Sequence, residues 1–285
     1  MAATSVRHPA VAGRFYPGDP EVLRHEVRAY LSQMPAQKPV RALGCIVPHA
    51  GYVYSGHVAG TVFAGLNIPK VCLVMCPNHT GMGRALAIMS EGVWQTPLGE
   101  VPIHSSLAAA LVQRCPLLEE DSMAHRNEHA AEVELPFLQV RQPQLKFVPI
   151  ALGIRQFEVL EQLGEAIADV VAAQNDPVLI IASSDMNHYD SDAITRVKDR
   201  SAIEAILKLD ARALYEGVTE QNVSMCGFGP AVAMLTATKK LGAASAFLVK
   251  YATSGDISGD RDLVVGYAGV IVPAPRVSAP KVPAP

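Results

Sequence analysis

Two histidines of this chain stand in matching settings. His49 lies in "PHAGYVYSG" and His79 in "PNHTG"; each follows a proline by one or two residues and precedes a glycine by two. Proline and glycine at this spacing fix the course of a loop and let its backbone approach a ligand. One loop histidine is ordinary surface structure. Two in the same setting point to a shared metal, because neutral imidazole is the commonest side-chain metal ligand. A second cluster, "SSDMNHYD", puts Asp185 three residues from His188. A carboxylate beside an imidazole fixes its tautomer and stabilises its charged form, which suits acid–base work. Ser183, Ser184 and Asp185 are equally good N-caps for the helix that follows. In "SMCGFGP", Cys226 precedes a helix start, where a thiol pKa is lowered and thiolate favoured. That sulfur suits a zinc, iron or copper ligand, a nucleophile with His188 as base, or a buried inert thiol.

The stretch "HRNEH" fits H-x-x-E-H, a zinc-peptidase pattern, at His125, Glu128 and His129. That chemistry needs both histidines on one helical face and a further carboxylate downstream. Pro136 interrupts the helical-looking run "AAEVELPFLQV" that follows, and nothing else in the chain supports a peptidase. His125 is expected to be incidental.

Such scattered residues need a scaffold that gathers them. Apolar runs "ALGCIVP", "KVCLVMC", "LKFVPIAL", "PVLIIAS", "AFLVKYAT" and "DLVVGYAGVIV" read as strands. Between them, helical spacing marks residues 21–34, 55–66, 105–115, 157–174, 192–209 and 229–242. Alternating strands and helices predict a single α/β/α domain over residues 1–273, with a mostly buried mixed sheet. In such folds functional residues sit beyond the carboxyl ends of strands. His49, His79 and Asp185 with His188 each follow a predicted strand. The tail over 274–285 is rich in Pro and Ala and cannot build a core.

The gross numbers set limits. The chain has 285 residues, 49% hydrophobic and 18% charged, enough for a sizeable core. A net charge of −3 without a long basic run argues against nucleic acid and a membrane surface. No apolar stretch approaches the roughly 20 residues that span a bilayer. The cysteines are Cys45, Cys72, Cys76, Cys115 and Cys226, an odd set that predicts reduced thiols and a cytoplasmic setting. Cys72 and Cys76 lie in an apolar run and read as buried small hydrophobes.

The segments "VRHPAVAGRFYP", "VPHAGYVYSGHVAG", "PNHTG", "EHAAEVELPFL", "SSDMNHYD", "MCGFGP" and "GDRDLVVGYAGV" occur here in order, from Val6 to Val272. Together they make the chain resemble the Memo family, protein B of the AmmeMemoRadiSam system. That family is similar in fold to class III extradiol ring-cleavage dioxygenases, which hold non-haem iron with two histidines and a carboxylate. The resemblance implies that His49 and His79 are metal ligands, Cys226 the third, and His188 the acid–base histidine with Asp185 beside it. It places Glu128 and His129 near the metal, His129 behind a ligand or facing substrate. Thiolate in place of carboxylate shifts preference toward copper(I) or zinc and alters the behaviour of iron, so catechol cleavage does not follow from fold alone. The implied cofactor is one metal ion, iron or copper before zinc. The implied activity is that of a dioxygenase-like oxidoreductase on a small molecule. The alternative is a non-catalytic metal- or peptide-binding adaptor, with Tyr52, Tyr54, Trp94 or Tyr189 lining its pocket. The family's name further implies association with a radical-SAM system.

Overall fold

The computed structural model describes residues 5–33 and 38–275. Met34, the last residue of the first predicted helix, and residues 276–285 of the predicted tail lie outside the described residues. The first third of the chain forms β1 (Val6–Arg7), α1 (Pro20–Leu31), β2 (Ala42–Val47), α2 (Tyr52–Ala64) and β3 (Val71–Pro77). The middle forms β4 (Leu86–Ile88), β5 (Val93–Thr96), β6 (Gly99–Pro102), α3 (Ser105–Arg114), β7 (Glu119–Glu120), α4 (Met123–Arg126), α5 (Leu135–Arg141) and β8 (Lys146–Leu152). The rest forms α6 (Phe157–Ala172), β9 (Val178–Ser183), β10 (His188–Asp190), α7 (Asp192–Leu207), α8 (Ala211–Glu220), α9 (Phe228–Lys240), β11 (Phe247–Thr253), α10 (Gly255–Ser258) and β12 (Val264–Pro273).

The main sheet runs β10-β12-β2-β9-β3-β8-β4-β7, with β11 paired to β12. Its centre, β2, β9, β3 and β8, is parallel, and β12 and β4 flank it antiparallel. The sheet is therefore mixed, as expected. Central strands have no solvent face, so they read as unbroken apolar runs. Alternate residues serve two cores. Ile46, Leu73, Met75 and Ile180 face a core built with α6, α7, α8 and α9, while Cys45, Val47, Val74 and Ile181 face α1, α2 and α5. Small residues bring α6 against α9: a Cβ on Gly164 would lie 2.6 Å from the Ala233 carbonyl oxygen. β1, β5 and β6 form a separate three-stranded sheet. Among the described residues no helix is long and apolar enough to cross a membrane.

Two local expectations fail. Pro136 opens α5 instead of breaking a helix, because the first turn needs no N–H from it. The helix after "SSDMNHYD" is capped by Ser191, whose side chain accepts from the Ile194 N–H, so Ser183, Ser184 and Asp185 are free for other partners.

Candidate metal centre

In parallel register Val47 lies opposite Ser183, and Met75 opposite Ala182, so β2, β9 and β3 end level with one another. The loops that leave them carry His49, Asp185 and His79 into one crevice. β12 runs the other way beside β2 and pairs its start with His188, which closes the side of the crevice. The loop before α9 adds Ser224 and Cys226. The resulting cavity of about 550 Å3 is lined by Phe15, His49, His79, His129, Asp185, His188, Tyr189, Ser224 and Cys226, among others.

Each histidine is oriented by a hydrogen bond behind it. His49 Nδ1 pairs with Ser183 Oγ at 2.8 Å, and that hydroxyl lies 2.8 Å from Glu134 Oε1 and 2.7 Å from the Ala130 carbonyl. His79 Nδ1 donates to Glu128 Oε1 at 2.9 Å, and its backbone N–H to Glu128 Oε2 at 2.6 Å. These partners take the Nδ1 atoms and leave Nε2 of both rings to face the crevice. His129 stacks on His79 with ring centroids 4.7 Å apart, and its Nδ1 lies 3.3 Å from the same Glu128 oxygen. Donor atoms of His49, His79 and His129 all lie within 4.8 Å of one another, a separation that could hold a metal ion. Cys226 Sγ stands 3.2 Å from His49 Nε2.

The electrostatics favour neutral donors. Burial holds His49 well below its ordinary pKa, and the neighbouring imidazoles add to this. Burial also raises Glu128, but hydrogen bonds from His79 and Ala130 outweigh it and keep the carboxylate lowered. The Cys226 expectation reverses: burial holds its thiol well above the ordinary value and overrides the nearby helix start. Without a cation to pair with, the sulfur keeps its proton. Neutral imidazole is the form that binds a metal ion, and the His49, His79 and His129 group is the one whose donor atoms lie close enough to share one.

Asp185 and His188 line the same cavity but are not bonded to each other. Asp185 accepts the His49 backbone N–H at 2.8 Å. Burial pushes its carboxyl up to about 7, against the His49 and Ala50 N–H groups that favour the charged form. His188 is held by Ser224 instead: its Nδ1 pairs with the Ser224 carbonyl at 2.9 Å, and its backbone N–H donates to Ser224 Oγ at 2.7 Å. Asn187 Oδ1 in turn accepts from the Ser224 N–H at 3.2 Å. Burial keeps His188 below its ordinary pKa despite these bonds.

The peptidase pattern dissolves. α4 ends at Arg126, so His125 and His129 never share a helix face. His125 is fully buried against Trp94, with centroids 5.7 Å apart, and does not line the cavity. Of the aromatics, Tyr189 lines the cavity and is 72% exposed, whereas Trp94 and Tyr52 belong to the core. Ser224 and Glu134 are site residues that the sequence left unassigned, and Ser183, read there as an N-cap, instead meets His49 and Glu134. Ser183 and Ser224 lie inside recognised motifs, but only the sheet order brings them to their histidines.

A family model described as Memo-like protein matches residues 7–271. A MEMO1 family protein of Methanopyrus kandleri is 44% identical over 277 residues, covering 93% of this chain and 98% of that one. One of Methanosarcina barkeri is 43% identical over 268 residues, covering 94% and 100%. Among solved structures, an uncharacterized Escherichia coli K12 protein aligns at TM-score 0.48 and 14% identity, over 79% of this chain and 99% of its own. With the family model and such relatives each spanning nearly the whole sequence, this chain belongs to the Memo-like protein family.

Proposed function

We propose that the crevice is the site of a metal-dependent, dioxygenase-like oxidoreductase acting on a small polar molecule. His49 and His79 are the fixed ligands in this reading, and Cys226 is the third. Cys226 Sγ stands 3.2 Å from His49 Nε2; His129, whose donor atom does group with those of His49 and His79, lies flat against His79 and faces Glu128. Iron or copper bound there supplies Lewis acidity and electron transfer; zinc supplies the first alone.

The chain's own contribution is proton handling and orientation. With Nδ1 tied to Ser224, His188 presents Nε2 as its free nitrogen. Burial keeps the ring neutral near pH 7, the form that accepts a proton from a substrate hydroxyl. Asp185 holds the His49 loop through its N–H. His129 and Phe15, with centroids 4.8 Å apart, wall the cavity on the side of the segment between β1 and α1. The observation that carries this reading is the pairing of a neutral, back-tethered His188 with the histidine group across one cavity.

Metal analysis of anaerobically prepared protein tests the ligands. His49→Ala and Cys226→Ser are expected to lose metal, and His129→Ala to keep it. Loss in His129→Ala with retention in Cys226→Ser would select the three-histidine set instead. Oxygen uptake over a panel of catechols and reductants tests the chemistry. Identical traces for the wild type and His188→Ala would reject turnover and leave a binding role for the pocket.

A further inference from the structure

A second cavity, of about 470 Å3, adjoins the metal crevice; Phe15 and Gly51 line both. Its outer wall is the strap between β1 and α1. Glu132 pins that strap, accepting from the Ala10 N–H at 2.8 Å, the Val11 N–H at 3.1 Å and the Tyr16 hydroxyl at 2.6 Å. The strap turns tightly at Gly13, whose φ of +77° favours glycine. It is tied to the start of α2 by the Tyr52 N–H, which donates to the Phe15 carbonyl at 2.8 Å.

This fixed loop sets the exposed Arg14 along the second cavity, and α1 sets the half-buried Glu26 there. Among the described residues the Arg14 guanidinium has no hydrogen bond or ion pair. The Glu26 carboxylate accepts only from the Tyr30 hydroxyl, at 3.1 Å. Opposite charges thus line one cavity without pairing to each other. Arg14 is also close to the metal crevice, since its chain neighbour Phe15 lines both cavities.

A cation and an anion that line one space without an ion pair between them select a ligand that carries both charges. A simple acid would set its carboxylate against Glu26, and a simple amine its ammonium against Arg14. Guanidinium further favours a carboxylate through paired hydrogen bonds. We propose that this cavity is a headgroup subsite for an α-amino-acid group. Arg14 takes the carboxylate and Glu26 the ammonium. The side chain of the ligand passes Phe15 and Gly51 into the metal crevice. Only the fate of that distal end rests on the oxidoreductase reading; headgroup binding needs no turnover.

Calorimetric titration of the purified full-length chain near neutral pH, with L-phenylalanine, 3-phenylpropanoate and 2-phenylethylamine, tests it. Phenylalanine is expected to bind at least about tenfold more tightly than either analogue, the scale of one charge-assisted hydrogen bond. Arg14→Ala should erase its margin over 2-phenylethylamine. Glu26→Gln should erase its margin over 3-phenylpropanoate. Unchanged melting temperatures would show both variants folded. Equal binding of the three probes, no binding by any, or margins that survive both substitutions would overturn the subsite. Phenylalanine binding that needs Arg14 and Glu26, in a protein that takes up no oxygen with any catechol, would reject the oxidoreductase reading alone.

Discussion

Glu132→Ala is a demanding test of how the crevice wall is held. Glu132 is fully buried and accepts from the Arg7 guanidinium, the Ala10 and Val11 N–H groups and the Tyr16 hydroxyl. Truncation leaves the Arg7 charge, 5% exposed, without its carboxylate. Breaking a buried ion pair from one side costs about 3–5 kcal/mol. Arg7 keeps two carbonyl partners, His125 O at 3.1 Å and Glu128 O at 2.6 Å, so the lower end applies. Val11, 6% exposed, leaves a dry N–H that adds about 1 kcal/mol, whereas water reaches half-buried Ala10. The sum is about 4 kcal/mol, or roughly a 10 °C fall in melting temperature for a chain of this length. Urea and thermal melts measure it. Hydrogen exchange should quicken at the strap amides first, because the strap loses its anchor while the sheet does not. A double substitution, Arg7→Met with Glu132→Met, should recover much of the loss by removing both charges. A loss below about 1 kcal/mol, or a double variant as unstable as the two singles added, would refute the reasoning.

Other consequences are as direct. Gly227→Ala would bring a Cβ to 2.3 Å from the Ser183 carbonyl oxygen and 2.4 Å from Ser184 Cβ, so both metal content and melting temperature should fall. Burial raises the Asp199 carboxyl to about 6. The folded state therefore holds the proton more strongly than the unfolded one, and stability falls as pH rises from about 4 to about 6, by about 3 kcal/mol. Asp199→Asn should remove that slope from urea melts, and an unchanged slope would exclude Asp199 as its source. Cys45, Cys72, Cys76 and Cys115 are buried and Cys226 is only partly so, which predicts native alkylation at Cys226 first, with protection by added zinc. Mass mapping that finds another cysteine modified first would contradict the burial order. Asn187→Ala removes the acceptor for the Ser224 N–H and so loosens His188, with an expected cost of about 1–3 kcal/mol in urea melts.

Much of the scaffold was legible because central strands declare themselves. "KVCLVMC" and "PVLIIAS" have no polar face to disguise them, and the histidines and Asp185 follow such runs directly. The short pieces escaped: β4, β5, β6, β7 and β10 have at most four residues each, too few for a period to register. α8, with only Leu214 and Val218 buried, gives a similarly thin pattern. Asp185 and His188 reach one cavity, as their spacing allows, but not each other. Nearness in sequence says nothing about the direction of two side chains when a strand begins at the second. Ser183 and Ser224 were visible as residues but not as partners, since each meets its histidine only after strands from distant parts of the chain are placed. Cys226 shows the limit of a rule taken alone, because burial outweighs a helix start.

The position of β9 between β2 and β3 also bears on how the protein is made. A chain emerging from the ribosome presents β2 and β3 long before residues 178–183, the strand that both require as neighbour. Until then each offers an open edge, the kind of surface on which strands of other chains can pair. His49 and His79 are synthesised early, but Cys226 and the β12 strand beside His188 come late. A metal held by the assembled crevice would therefore enter only after the late strands are in place.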